Sequence, residues 1–155
     1  MNATAAINAM RSAAIALRAL SRVPAQAAED ASRELEAVLR DQHGEEVDPY
    51  GNPWAPLAES TIKRKGGDSR ILRRTDRMLD ELSIRPSPGA GLTLTFGAPY
   101  AAFHQVGTKD MPARRLLPIA AMPKAWSDAI KRALDARFKK WADDAGPISN
   151  GGARG

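Results

Sequence analysis

The 155-residue chain has no cysteine, and aromatic side chains make up only 5% of it. Without thiols, disulfides, thiolate metal sites and cysteine nucleophiles are all excluded. With so few aromatics the core must rest on Leu, Ile, Val, Met and Ala, a composition suited to closely packed helices. The two histidines, His43 and His104, are far apart, and neither has a second His at metal-ligand spacing. No Ser-centred nucleophile motif accompanies His104, whose bland reading is a structural imidazole bonding a backbone group under a loop. The neighbouring acids Asp80-Glu81 and Asp143-Asp144 would point in different directions on a helix, so neither pair makes a shared carboxylate site. Gly89-Ala90-Gly91 precedes a strand pattern instead of opening a helix, the wrong context for a phosphate loop. The sequence therefore predicts a non-enzyme with no catalytic, cofactor-binding or metal site and no cofactor. Long apolar runs are missing too. The Ala-rich stretch 3–20 is broken by Asn8, Arg11 and Arg18, too polar for a membrane span. The start Met1–Ile7 lacks a charged region ahead of an apolar one, so no signal peptide, no membrane partner and a cytoplasmic start are expected.

What is present is an ordinary globular composition, 43% hydrophobic and 26% charged, in a length suited to one domain. The net charge is +5, and the whole surplus lies in residues 92–155, which hold ten Lys and Arg against five acids. A basic final third can be a solvated helix face, or can meet DNA or an acidic protein surface.

Periodicity predicts an α+β fold. Ile7, Met10, Ala14 and Leu17 mark an amphipathic helix over 5–20. Pro24 either separates it from the next helix or kinks a single one, with Ser21 as a cap and Pro24 in a first turn. The next helix runs to about Gln42 on a stripe of Ala27, Ala31, Leu35, Val38 and Leu39, and Gly44 is its stop. Residues 48–57, with three prolines and a glycine, form a loop anchored by Tyr50, Trp54 and Leu57. A short helix starts at Glu59 or Ser60 and ends at Gly66-Gly67. Thr75 or Asp76 caps a further turn or two. The period then changes to two: Leu82, Ile84, Leu92, Leu94 and Phe96 alternate with polar residues around a turn at 86–91, predicting a β-hairpin over about 82–97. Pro99 at a first helical position and Gly107 at the end bracket a two-turn helix. An extended arm at about 108–118 reads as another strand of this small antiparallel sheet. A last helix spans Pro123 to Ala142 with Trp126, Ile130, Leu134, Phe138 and Trp141 at helical spacing. Residues 1–144 are thus one α+β domain, with 1–22 as a separate helix in one reading, and 145–155 a Gly-rich flexible tail.

Four segments carry a resemblance. Asp48, Gly51, Trp54, Pro56, Leu57 and Thr61 follow the pattern D-x-x-G-x-x-W-x-P-L-x-x-x-T. Ile71-Leu72 with Thr75 and Leu79 make a second segment. Tyr100, His104, Gln105 and Gly107 lie in Gly97-Ala98-Pro99-Tyr100-Ala101-Ala102-Phe103-His104-Gln105-Val106-Gly107, and Pro112, Arg114 and Leu117 in Met111-Pro112-Ala113-Arg114-Arg115-Leu116-Leu117. In this order, over about residues 30–120, they resemble the phage virion morphogenesis, or tail-completion, family of Mu-like and P2-like tailed phages. Asp76 stands where the family prefers Gly, and Arg115-Leu116 where it prefers Pro-Phe.

The resemblance implies a virion structural protein at the neck or head-proximal tail end. It would act in tail completion and head–tail joining as a ring subunit, commonly hexameric, around the DNA channel. Implied partners are further copies of itself and other neck and tail proteins (connector, tail terminator or tail tube), with DNA in the channel. The implied location is the virion, and the host cytoplasm during assembly. The alternative is a DNA-binding accessory protein using the basic final third. The run Lys63, Arg64, Lys65, Arg70, Arg73 and Arg74 is the best basic patch, contacting phosphate or pairing with acids. The loop 48–57 and the arm 108–118, apolar groups among prolines, either reach a neighbouring subunit or fold back on their own.

Overall fold

A computed structural model describes residues 24–72, 77–87 and 91–145. Helix α1 (Ala25–Gly44) follows from a run without proline, whose one glycine is its last residue. Its buried face, Ala27, Ala28, Ala31, Ser32, Leu35, Leu39 and His43, repeats every three or four residues. Pro24 stands just before the helix, at the cap position, and its carbonyl accepts from the amides of Ala27 (3.0 Å) and Ala28 (3.1 Å). The expected place for Pro24 inside the first turn is therefore corrected by one step, since its fixed φ serves the entry equally well. The predicted helix 5–20 and the Ser21 cap lie outside the described residues.

Helix α5 (Lys124–Ala145) buries Trp126, Ala129 and Ala133 and runs three residues beyond the expected end. Trp126 Nε1 donates to Gln42 Oε1 (3.1 Å), Arg132 pairs with Glu34 (3.8 Å) and Arg137 with Asp30 (2.5 Å), which sets α1 and α5 antiparallel. Alanines on both facing surfaces let the backbones approach closely. The predicted tail, 146–155, lies outside the described residues.

The hairpin forms as predicted. Strands β1 (Leu82–Ser87) and β2 (Gly91–Phe96) pair antiparallel with Leu82 opposite Phe96, Ile84 opposite Leu94 and Pro86 opposite Leu92. That face packs on α1, while Arg85, Thr93 and Thr95 face outward. A two-stranded hairpin is marginal in water. Here it is held by a core of Leu35, Leu39, Leu82, Ile84, Leu92, Trp126 and helix alanines. Each fully buried aliphatic side chain there contributes roughly 1.5–3 kcal/mol. A second core of Trp54, Ile71, Met78, Ala98, Ala101 and Leu116 lies under the loops, and Phe96 packs against both.

Helices α2 (Glu59–Arg64), α3 (Arg77–Asp80) and α4 (Ala101–Val106) are short. Pro99 precedes α4 by two residues instead of opening it, and Tyr100 takes the cap position. The arm 108–118 makes one bridge, Thr108 to Met111, and adds no strand: among the described residues the sheet has two strands. Its amides are spent elsewhere, that of Arg114 on the His104 carbonyl (2.7 Å) and those of Leu116 and Leu117 on the Gln105 side chain. Among the described residues no helix is long and apolar enough to cross a membrane.

Candidate functional site

The loop 48–57 and the arm fold back onto their own chain and are laced together. The loop is shaped first. Asp48, buried, accepts through Oδ1 from the amides of Tyr50 (2.8 Å) and Asn52 (2.9 Å) and through both oxygens from Asn52 Nδ2. The Gly51 amide reaches back to the Asp48 carbonyl (2.9 Å), with Gly51 at φ +85°. This side-chain-organised turn explains why Asp and Gly stand at that spacing.

The loop then grips the arm in two places and the residues just after it in a third. Trp54, packed edge-on against His43, donates from Nε1 to the Arg115 carbonyl (3.1 Å). The Tyr50 hydroxyl accepts from the amides of Ile119 (3.0 Å) and Ala120 (2.8 Å) and donates to the Ala121 carbonyl (3.1 Å). Arg114, only 4% exposed, donates to the carbonyls of Ala55 (2.8 Å) and Pro56 (2.9 Å). Burial lowers the pKa of this guanidinium, with Glu46 acting in the opposite direction. From the other side Gln105, 3% exposed, accepts from the amides of Leu116 (2.9 Å) and Leu117 (2.8 Å) and donates to the Leu117 carbonyl (2.9 Å). Gly107, at φ +74°, lets the arm turn close by, because a Cβ there would sit 2.8 Å from the Ala113 nitrogen.

These contacts leave an open groove of about 1030 Å³ between loop, α2, α4 and arm. It is lined by the predicted residues Pro56, Leu57, Thr61, Leu72, Tyr100, His104, Pro112 and Arg114, together with Arg64 and Lys65 of the basic run. Asp48, Gly51, Trp54, Gln105 and Gly107 stand behind it and shape its walls. Leu117 packs instead against the hairpin core. Thr75, Arg73 and Arg74 lie outside the described residues. In the second segment the deeply buried residue is Met78 (1% exposed), and Leu79 is only half-buried. Leu72 holds a left-handed φ of +55°, a conformation a bulky side chain adopts only at a cost of roughly 1–2 kcal/mol.

Sequence reasoning did not single out four lining residues, Ala58, Arg77, Asp110 and Met111. Met111 opens the arm's motif segment, and Arg77 is legible only as the i,i+4 partner of Glu81 (2.5 Å). It also missed Glu46. Its carbonyl accepts from the Trp54 amide (2.8 Å), and its Oε1 accepts from the Ile71 amide (2.7 Å), a contact across 25 positions that no local pattern signals.

The chemistry of the groove is that of a surface. The His104 ring stacks edge-on to Tyr100 with centroids 5.9 Å apart, and its Nδ1 is buried without a hydrogen-bond partner among the described residues. The expected bond from its ring to a backbone group is thus not made; it is the residue's own carbonyl that receives an amide, that of Arg114. Desolvation by burial, with the Arg114 charge adding to it, lowers the His104 pKa. Among the described residues no three His, Asp or Glu side chains are grouped to hold a metal. Of the basic run, Arg64 donates to Thr61 Oγ1 (3.4 Å), Lys65 pairs with Asp68 (3.5 Å), and Arg70 pairs with Asp68 (3.0 Å), whose carboxyl it holds well below the usual range. The six cations of α5 likewise all lie beside acids: Lys124, Lys131, Lys139 and Lys140 pair along the helix, and Arg132 and Arg137 pair across to α1. Large apolar side chains stay bare elsewhere, Phe103 at 58% and Val106 at 49% exposure on α4 and Phe138 at 46% on α5.

Compared with known proteins, no curated sequence and no solved structure matches the chain. A family model does: that of the phage virion morphogenesis family, over residues 4–137, a span that takes in all four motif segments.

Proposed function

Because the chain belongs to the phage virion morphogenesis family, we propose that it is a non-enzymatic assembly subunit at the neck or head-proximal end of a phage tail. It acts in tail completion and head–tail joining. In this reading it closes into a ring around the DNA channel, six copies being the expected number, and meets the connector, the tail terminator or the tail tube. It resides in the virion, and in the host cytoplasm during assembly. The observation that carries the reading is the bare apolar face of α4, where Phe103 and Val106 stand in solvent next to the groove residues Tyr100 and His104. A small subunit that leaves such side chains exposed gains by burying them against another subunit. Each strand of the hairpin pairs on one side only among the described residues, and those edges offer the same opportunity.

Particles made without this protein test the reading. Heads and tails should accumulate unjoined, or tails should carry a defective end. The purified chain should sediment near six times its 16.7 kDa mass. Normal infectious particles from the deletion would refute the role, and a strictly monomeric chain both in solution and in virions would refute the ring.

A further inference from the structure

Resting on the assembly reading, we infer that the groove is a docking site for an extended acidic segment of a partner protein, one carrying carboxylates spaced around an apolar side chain. The floor is apolar, formed by Leu57, Tyr100, Met111 and Pro112. The rim is cationic. Arg64 and Arg114 line it together with Lys65 and Arg77, against the single lining acid Asp110. Glu81 and Asp68 offset Arg77 and Lys65, and Glu46 acts on the buried Arg114, which leaves Arg64 as the exposed cation of the lining without an acidic partner among the described residues. Arg114 spends two donors on the Ala55 and Pro56 carbonyls, which orients the guanidinium but does not neutralise it.

The shape favours a strand-like peptide over nucleic acid. One tyrosine and one imidazole, already stacked on each other, leave no ladder of aromatic faces for successive bases. The prolines of both walls hold the backbone extended, a pre-formed cleft of the kind that binds without ordering its own loops. An acidic peptide would lay a carboxylate on the exposed Arg64, with the buried Arg114 adding its charge from the groove wall, and would set its apolar side chain on Met111 and Pro112.

The test uses the full chain against a surface-displayed library of random dodecapeptides, followed by fluorescence anisotropy with the enriched peptide. The expected result is enrichment of net-acidic sequences with one or two apolar residues. Binding should weaken at least tenfold in Arg64→Glu, an exposed position whose loss leaves the core intact, and in Met111→Asp, with unfolding curves confirming that each variant is folded. No enrichment, enrichment of neutral or basic sequences, or peptide binding indifferent to Arg64→Glu would overturn the inference. So would a 20-base-pair DNA duplex that binds in an Arg64-dependent manner and displaces the peptide. The measurement is made on the isolated chain, so its failure is separate from any outcome with deletion particles.

Discussion

Replacing Gln105 with leucine should loosen the arm even though the volume of the side chain is nearly kept. The amide group makes three hydrogen bonds at 2.8–2.9 Å, two accepted from the amides of Leu116 and Leu117 and one donated to the Leu117 carbonyl. It does so at 3% exposure, next to Leu116 in the second core. A net contribution of about 1 kcal/mol for each bond, rising where the abandoned backbone group stays buried, puts the loss at about 3–5 kcal/mol. Against a total stability of about 5–15 kcal/mol this is a large fraction. For a chain of this length it corresponds to a fall in Tm of roughly 6–20 °C. Urea unfolding followed by tryptophan fluorescence reads the equilibrium, since Trp54 and Trp126 lie one in each core. Hydrogen exchange at the Leu116 and Leu117 amides reads the local event. Gln105→Ala should be worse again by a cavity contribution of about 1 kcal/mol or more. If Gln105→Leu unfolds within 0.5 kcal/mol of the parent, a threshold of the order of a surface substitution, and both amides keep their protection, the latch argument is wrong.

Three further outcomes follow from the same geometry. Gly107→Ala combines a left-handed φ with a Cβ 2.8 Å from the Ala113 nitrogen, whereas Gly51→Ala meets open space. The first should therefore cost about 3 kcal/mol or more and the second about 1 kcal/mol in chemical unfolding. Arg114→Lys keeps the charge but cannot reach both the Ala55 and Pro56 carbonyls in one fork, so thermal unfolding should show a loss of about 1–3 kcal/mol, with the loop and arm the first region to gain exchange. His104, whose pKa is depressed by burial, is held neutral in the folded chain, so the unfolded state takes up its proton first. Its contribution is complete above the ordinary value of 6.5 and falls away as the pH drops through that value toward the folded one, so His104→Gln should flatten the stability profile between pH 7.5 and 5. An unchanged slope in that variant would remove His104 from the titration.

Local rules made the elements readable and left the site to be assembled. The stripe from Ala27 to Leu39 and the alternation from Leu82 to Phe96 are fixed by periods of 3.6 and 2, so α1 and the hairpin were legible residue by residue. Residues 48–57 were legible as a loop from their prolines and glycine, while the Asx turn that Asp48 and the left-handed Gly51 form within it is local chemistry that the structure brought out. The arm read as a strand because proline-rich, apolar sequence looks extended in either role. Only tertiary structure decided that its amides would bond Gln105 and the His104 carbonyl instead of a sheet edge. Nor could a period reveal that Met78 and not Leu79 is the buried anchor, because α3 is a single turn and either side could face inward. The folding back of the loop onto its own arm rests on contacts 58 to 71 positions apart in sequence, from Tyr50, Trp54 and Arg114. Such long-range pairings depend on where two independently formed cores place their loops. Sequence by itself determined which residues could form helix, hairpin and turn; the packing of α1, α5 and the hairpin decided which loops would meet and so where the groove would open.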